Sequence, residues 1–167
     1  MNNVVSIKSA VEIARDLKSS GKRIVLAGGC FDILHIGHIT FLEKAKKEGD
    51  VLMVLLESDE SIRKSKGGNR PINTMEDRAR ILAALKSVDI VVKLPHMGSD
   101  KEYDDLIEKI QPAVLASAIG DRAIDHKKRQ AKKLGIELKI VMKVLKDKST
   151  TNLVNLLSHP EFISGSK

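Results

Sequence analysis

His35 and His38, separated by Ile36-Gly37, are the residues of this sequence whose type and spacing are best suited to chemistry. Side chains three residues apart share one face of a helical turn. At the start of a helix, free backbone N–H groups and the positive end of the helix dipole already favour an anion. Gly37 lets a ligand approach the backbone closely. The pattern therefore predicts a polyphosphate site in which two imidazoles donate hydrogen bonds at the reacting phosphorus.

The same four residues also fit an ordinary helix start that carries two surface histidines, because so short a match is weak alone. The flanking sequence favours the functional interpretation. A buried-strand pattern at 23–27 precedes the turn Gly28-Gly29-Cys30-Phe31-Asp32, and an amphipathic helical pattern begins near His38. Strand, turn and helix are the context in which a catalytic centre for nucleotidyl transfer is expected.

Strand and helix patterns alternate along the whole sequence. Strands are predicted at 23–27, 51–56, 90–94, 113–116 and 137–142, and helices at about 9–19, 38–48, 74–86, 100–110, 122–134 and 150–158. Uninterrupted apolar runs such as 51–56 are typical of strands buried on both faces of a parallel sheet. The prediction is one doubly wound, Rossmann-like α/β domain over 1–162, with a five-stranded parallel sheet flanked by helices and a disordered tail at 163–167. Such sheets bind ligands beyond the carboxyl ends of their strands, where the turn after 23–27 lies.

Composition excludes several classes of function. No apolar run approaches the roughly 20 residues that a membrane helix needs, and one cysteine predicts no disulfide framework and a reducing cytoplasm. The net charge of +7 raises the possibility of a nucleic-acid partner. With three Phe and one Tyr there are few stacking platforms, so nucleic-acid binding is disfavoured. The dense basic cluster at 127–133 is interpreted as a solvated helix face, and a phosphorylated substrate would also benefit from positive charge.

The stretch Gly29–His38 closely resembles the first signature of the cytidylyltransferase-like nucleotidyltransferases, and the resemblance covers nearly the whole chain. Within that family the sequence is most similar to the heptose-phosphate adenylyltransferase branch. The stretches that carry this similarity are the helix end at 21–25, the lysine-glycine segment at 66–73, the helix and strand start at 76–89 and the hydroxyl-rich turn Ser149-Thr150-Thr151.

The resemblance implies transfer of AMP or CMP from ATP or CTP to a small phosphorylated sugar or polyol, with release of pyrophosphate. It implies catalytic roles for His35, His38, Lys66 and Arg78. It implies nucleotide binding by Gly28, Gly29, Cys30, Phe31, Asp32, Gly37, Lys64, Gly120, Asp121, Ser149, Thr150 and Thr151. Mg²⁺ is expected to arrive with the triphosphate, held by phosphate oxygens rather than by a metal site built from the protein. A homodimer is also implied.

Each of these residues has a simpler interpretation. Lys64 and Lys66 fit a solvated, glycine-rich loop. Arg78 fits either a bidentate fork on phosphate or a surface ion pair with a neighbouring acid. Residues 149–151 fit an ordinary helix N-cap, and Asp32 fits a structural role in its turn. Cys30 is interpreted as a small buried residue rather than a nucleophile.

Two segments depart from the heptose branch. Ala116–Asp121 keeps only the final Gly-Asp of that branch's lysine-glycine-glycine-aspartate run, and Leu94–Asp100 does not follow the branch. The first departure leaves the base open and the second leaves the acceptor open. A glycerol-3-phosphate-type cytidylyltransferase and an FAD synthetase-like enzyme stay as alternatives. A non-catalytic nucleotide- or RNA-binding module is the alternative of a different class.

Overall fold

The structure is a computed structural model that describes residues 3–144 of the 167-residue chain. Its strands are β1 Val4–Val5, β2 Ile24–Gly29, β3 Val51–Leu56, β4 Ile90–Lys93, β5 Val114–Ile119 and β6 Glu137–Lys143. Its helices are α1 Ile7–Ser19, α2 Ile36–Lys46, α3 Asp59–Lys66, α4 Met75–Ala83, α5 Asp100–Ile110 and α6 Ile124–Leu134. The helix predicted at 150–158 and the tail at 163–167 lie outside the described residues. In the part of the chain described, no helix is long and apolar enough to cross a membrane.

All strand pairs in the sheet are parallel, in the order β1-β4-β3-β2-β5-β6, which confirms the predicted α/β class. Within residues 3–144 the sheet has six strands rather than five, because β1 pairs Val4 and Val5 with Val91 and Val92 at one edge. Two residues are too few to show a strand period. This edge strand therefore has no recognisable sequence pattern.

Successive side chains of the central strands point to opposite faces of the sheet, and each face is covered by its own helices. Ile24 and Leu26 face a layer formed by α1, α5 and α6, whereas Val25 and Ala27 face α2 and α4. The continuous apolar runs of the sequence reflect this burial on both faces.

The chain changes direction across the sheet at β2. From β2 it continues outward through β3 to β4, and it then returns to place β5 and β6 on the other side of β2. The crevice between the carboxyl ends of β2 and β5 is therefore the topological switch point, where sheets of this kind bind ligands. The turn after β2 carries the histidine pair, and the turn after β5 carries Gly120-Asp121.

Helix α3 was not predicted, and it changes the expected setting of two lysines. Ser58 caps the helix by accepting a hydrogen bond from the backbone of Ser61 at 3.1 Å. Lys64 and Lys66 thus lie in the last helical turn rather than in a loop, and the residue that caps the end of the helix is Gly67, whose φ is +95°. Helix α4 is capped by Thr74, whose hydroxyl accepts a hydrogen bond from the Asp77 backbone N–H at 3.2 Å.

The basic cluster on α6 is largely neutralised within the fold. Arg129 forms a two-pronged bond to the buried Asp104 of α5, at 2.8 and 3.1 Å, and Lys133 reaches the same carboxylate at 2.9 Å. Lys127 is paired with Asp121 at 2.7 Å. The cluster is therefore more than a solvated helix face, because three of its cations fasten α6 to neighbouring elements.

Candidate active site

The two imidazoles after β2 lie against each other. Their ring centroids are 3.9 Å apart and their planes differ by 26°, which is a stacked arrangement. His35 is the N-cap of α2, with extended backbone angles, and its Nδ1 accepts a hydrogen bond from the Gly37 N–H at 3.1 Å. The helix thus begins at Ile36 rather than near His38. Two rings that share one face at a helix start are what the spacing predicted.

The hydrogen bond to Gly37 fixes the tautomer of His35. A nitrogen that accepts a hydrogen bond carries no proton, so the neutral ring holds its hydrogen on Nε2. Burial lowers the pKa of His35, which favours this neutral form. His35 therefore presents one N–H donor whose position is set by the backbone of the motif itself.

His38 is the more deeply enclosed of the pair. Its ring centroid lies 5.3 Å from that of Phe31, and within residues 3–144 its buried Nδ1 has no hydrogen-bond partner. Burial, followed by the nearby His35 and Lys66, lowers the pKa of His38 to about 4. His38 is thus a neutral imidazole near pH 7, and the positive charge of the nearby Lys66 favours an anion beside it.

The lowered pKa of His38 predicts that stability depends on pH. The unfolded ring takes up a proton near its ordinary pKa of about 6.5, while the folded ring resists protonation down to a pKa of about 4. Between these values the unfolded state binds more protons, so the free energy of unfolding falls as the pH falls through this window. Urea unfolding at several pH values between 7 and 4.5 measures this dependence. The variant His38→Gln is expected to show a smaller slope of the free energy of unfolding against pH. An identical slope in the variant would contradict the assignment.

The turn between β2 and α2 is closely packed. Phe31 has a φ of 45°, unusual for a residue with a side chain, and its ring is 5% exposed. A Cβ on Gly29 would lie 3.0 Å from that ring, so a side chain there would require the ring to shift. Neighbouring Cys30 is a partly buried free thiol whose carbonyl accepts from Arg78. The Phe31 ring packs against His38, and this packing is its contribution to the site.

Asp32 fastens this turn to the segment before α4. Its carboxylate, 2% exposed, accepts from Arg70 Nε at 2.6 Å and from the backbone N–H groups of Ile72 and Asn73 at 2.9 Å. Burial alone would raise the pKa of Asp32, but these hydrogen bonds hold it below the ordinary value. With its lone pairs used in this way, Asp32 fits the structural alternative better than direct contact with a nucleotide.

Arg78 differs from the expected phosphate fork. Its side chain is fully buried, and the guanidinium donates to the carbonyls of Asn73, Cys30 and Glu57 and to the Asp59 carboxylate, at 2.6–3.1 Å. Donors that are already engaged are not free for a phosphate. The geometry favours a positioning role, in which Arg78 joins the carboxyl ends of β2 and β3 to α4.

The two lysines of α3 have different surroundings. Lys64 Nζ lies 2.8 Å from Glu60 and 2.8 Å from His96 Nε2. Lys66 makes no hydrogen bond or ion pair within the described residues, yet it is near enough to depress the pKa of His38. Of the two, Lys66 is the cation available for a substrate beside the histidines.

The turn after β5 forms the other wall of the crevice. Asp121 accepts from Ser117 Oγ at 2.9 Å, from Lys127 Nζ at 2.7 Å and from the Ala123 backbone at 2.9 Å. Burial would raise the pKa of Asp121, but Lys127 and these hydrogen bonds lower it. Gly120 has a φ of +88°, so the turn before Asp121 needs glycine. Lys127 therefore contacts a residue of the predicted site. Its position within a run of basic residues gave no indication of this contact in the sequence.

Sequence reasoning also missed a polar cluster at the carboxyl ends of β3 and β4. Glu57 follows β3, His96 follows β4, and Ser61 of α3 and Tyr103 of α5 lie between and beside them. The start signal of α3, Ser58 followed by Asp59 and Glu60, would have placed Ser61 near the end of β3. No local pattern joins the other three.

Three of the predicted nucleotide-binding residues receive no structural description. Ser149, Thr150 and Thr151 lie outside the described residues. Within residues 3–144, no three His, Cys, Asp or Glu side chains are grouped so that they could hold a metal ion.

Comparison with known proteins adds a family and a set of relatives. A sequence model described as cytidylyltransferase-like matches residues 26–167. The bifunctional protein HldE of Aliarcobacter butzleri is 40% identical over 160 residues, which are 96% of this chain and 32% of that protein. The corresponding protein of a Nitratiruptor species is 50% identical over 103 residues, or 62% of this chain and 21% of that protein. This chain thus spans about a third or less of the relatives it matches.

Solved structures show the same architecture. The lipopolysaccharide core biosynthesis protein from Thermoplasma volcanium is 33% identical, with a TM-score of 0.59 over 74% of this chain and 97% of that chain. Pantoate-beta-alanine ligase from Francisella tularensis has a TM-score of 0.63 over 93% of this chain and 73% of that chain. At 18% identity, the second comparison supports the fold alone.

Proposed function

This chain belongs to the cytidylyltransferase-like family, and from that premise we propose that it transfers AMP from ATP to a sugar phosphate, D-glycero-β-D-manno-heptose 1-phosphate, releasing pyrophosphate. The observation that carries the proposal is the stacked pair of neutral imidazoles at the start of α2, beside the switch point of the sheet. Similarity to HldE over nearly the whole chain supports a heptose phosphate as the acceptor.

In the proposed reaction an oxygen of the acceptor's phosphate attacks the α-phosphorus of the triphosphate. A new P–O bond forms, the bond between the α-phosphorus and the bridging oxygen breaks, and pyrophosphate leaves with that electron pair. The protein has little covalent chemistry to perform in such a transfer, so its contribution to the rate is mainly positioning and charge stabilisation.

The imidazoles serve this reaction as hydrogen-bond donors set before the substrate arrives. Donors that need no rearrangement stabilise developing charge most effectively in an enclosed site. His35 offers Nε2–H, and burial keeps His38 neutral while the nearby positive charge of Lys66 favours added negative charge. The N–H groups of the first turn of α2 extend the same anion site. Lys66, in the last turn of α3, supplies a cation beside the histidines.

Mg²⁺ is proposed to enter with the triphosphate. Its ligands would be phosphate oxygens and water, since Asp32 and Asp121 are already committed to protein donors. When bound, the ion would neutralise phosphate charge.

The nucleotide base and the assembly belong to the same proposal. The crevice between β2 and β5, bordered by Gly120-Asp121, is where the ribose and base would lie. We favour ATP over CTP on similarity to the heptose branch, and we retain a homodimer on the same ground. A reducing cytoplasm is the proposed compartment, because the sequence contains a single cysteine.

A panel of substrates tests the proposed function. Pyrophosphate release is measured with ATP, CTP, GTP and UTP, each with heptose 1-phosphate, glycerol 3-phosphate or flavin mononucleotide as acceptor. The expected result is turnover with ATP and heptose 1-phosphate at least about a hundredfold above every other pair, because a buried polar site rejects a mismatched partner strongly. Highest turnover with CTP and glycerol 3-phosphate, or with flavin mononucleotide, would replace the proposal. Tight salt-sensitive RNA binding with no pyrophosphate release would refute enzymatic function.

A further inference from the structure

A directed chain of hydrogen bonds runs from Lys64 to Glu57 on the β3 and β4 side of the histidine pair. Lys64 can only donate, so its contact of 2.8 Å makes His96 Nε2 the acceptor. The neutral His96 ring then carries its hydrogen on Nδ1, which donates to Ser61 Oγ at 3.0 Å. Ser58 also donates to Ser61 Oγ at 3.0 Å, which leaves the Ser61 hydroxyl hydrogen for the Glu57 carboxylate.

Tyr103 completes this arrangement from α5. Its hydroxyl lies 3.0 and 2.9 Å from the two carboxylate oxygens of Glu57 and can only donate to them. Glu57 is partly buried rather than enclosed, and a carboxylate has about four acceptor positions. The hydrogen bonds from Tyr103 and Ser61 fill only part of these positions, so both carboxylate oxygens can accept further hydrogen bonds from a ligand. Burial raises the pKa of Glu57, against the opposing effect of the Tyr103 hydrogen bond.

Backbone contacts fix Glu57 beside the catalytic turn. Its N–H donates to the Gly29 carbonyl at 3.2 Å, and its own carbonyl accepts from Arg78, which also binds the Cys30 carbonyl. The Glu57 backbone is therefore fixed next to the turn that leads to His35, on the side of β2 away from β5, and its carboxylate lies against the Tyr103 hydroxyl. If the nucleotide occupies the β2–β5 crevice, Glu57 lies on the side of β2 that the nucleotide leaves to the acceptor.

We propose that Glu57 and Tyr103 form the subsite that recognises the hydroxyl groups of the acceptor. This inference rests on the proposed function and defines its substrate class: acceptors with one phosphate and an uncharged, hydroxyl-bearing body. The carboxylate accepts hydrogen bonds from hydroxyl groups and repels a second phosphate. Lys64, His96 and Ser61 hold this carboxylate in place, so they are positioning residues.

Glu57→Gln and Tyr103→Phe test the subsite, with Glu43→Gln on the exposed surface of α2 as the matched control. KM is measured separately for heptose 1-phosphate and for ATP, and affinity for a non-hydrolysable ATP analogue is measured by calorimetry. We expect Glu57→Gln to raise KM for the acceptor about tenfold or more, since hydrogen bonds to charged groups are the stronger ones. ATP values should stay within about twofold, and Tyr103→Phe should show a smaller loss of the same kind.

A second measurement isolates the charge. The inhibition constant of the corresponding heptose 1,7-bisphosphate is compared with KM for the monophosphate. In Glu57→Gln the preference for the monophosphate should shrink about tenfold, whereas Glu43→Gln should keep it.

The outcomes separate this inference from the proposed function. Normal acceptor kinetics in Glu57→Gln, in a wild type that turns over, would overturn the inference alone. Equal losses for acceptor and ATP analogue would show a structural role and overturn it too. A wild type that releases pyrophosphate with no acceptor would overturn the proposed function and this subsite together.

Discussion

Replacing His38 with alanine is expected to lower kcat for pyrophosphate release by about 10²–10³-fold or more, the usual effect of removing one preorganised donor. His38 lies in the stacked pair, packs against Phe31 and feels the charge of Lys66. Its loss removes a group aimed at charge that develops in the transition state. KM for ATP should change much less than kcat. Steady-state kinetics of pyrophosphate release measure both parameters.

His126→Ala is the matched control for this experiment. His126 is an exposed histidine on α6 that bonds Asp100 at 3.0 Å, far from the turn after β2 in the chain. Its replacement should leave kcat unchanged. Circular dichroism of both variants establishes that the fold is retained. Full activity in a folded His38→Ala protein would remove the basis of the proposed mechanism.

Arg78→Met is expected to lower the free energy of unfolding by about 3–5 kcal/mol, the range for breaking one partner of a buried ion pair. The change leaves three carbonyls and the Asp59 carboxylate without their donor, at the point where β2, β3 and α4 meet. Urea unfolding at pH 7 measures the effect. Activity should fall as well, because the turn that carries the histidines loses its support.

Arg80→Met on the same helix is the matched control, since Arg80 is exposed. A surface change of this kind is expected to stay within about 0.5 kcal/mol. If the Arg78→Met protein has normal stability but binds ATP poorly, the structural role is wrong. Arg78 would then act as the bidentate phosphate ligand that the sequence also allowed.

The sheet was predictable because its signal is local. Apolar runs mark β3 and the other central strands, and Thr74 signals the start of α4. Two elements were not predicted from the sequence, for physical reasons. Strand β1 is too short to show a period, and α3 has a polar sequence with one fully buried residue, Ile62, so its cap was the main clue.

The histidine pair was predictable for the same reason, since its geometry follows from spacing within one turn. Contacts between distant residues were not. Asp32 meets Arg70 38 positions later, and Tyr103 meets Glu57 across 46 positions. Such partners are brought together by strand order, which no sequence period reveals. The burial of Arg78 was hidden likewise, because a charged residue on a helix ordinarily faces solvent.

The position of β2 in the middle of the sheet separates two recognition tasks. The residues proposed to contact the ribose and base follow β5, whereas those proposed to contact the acceptor follow β3 and β4. The two groups therefore belong to different stretches of the chain. Exchange of the stretch from β3 to α5 is expected to redirect acceptor choice if Lys66, Arg70 and Arg78, which serve the triphosphate and the histidine turn, are retained.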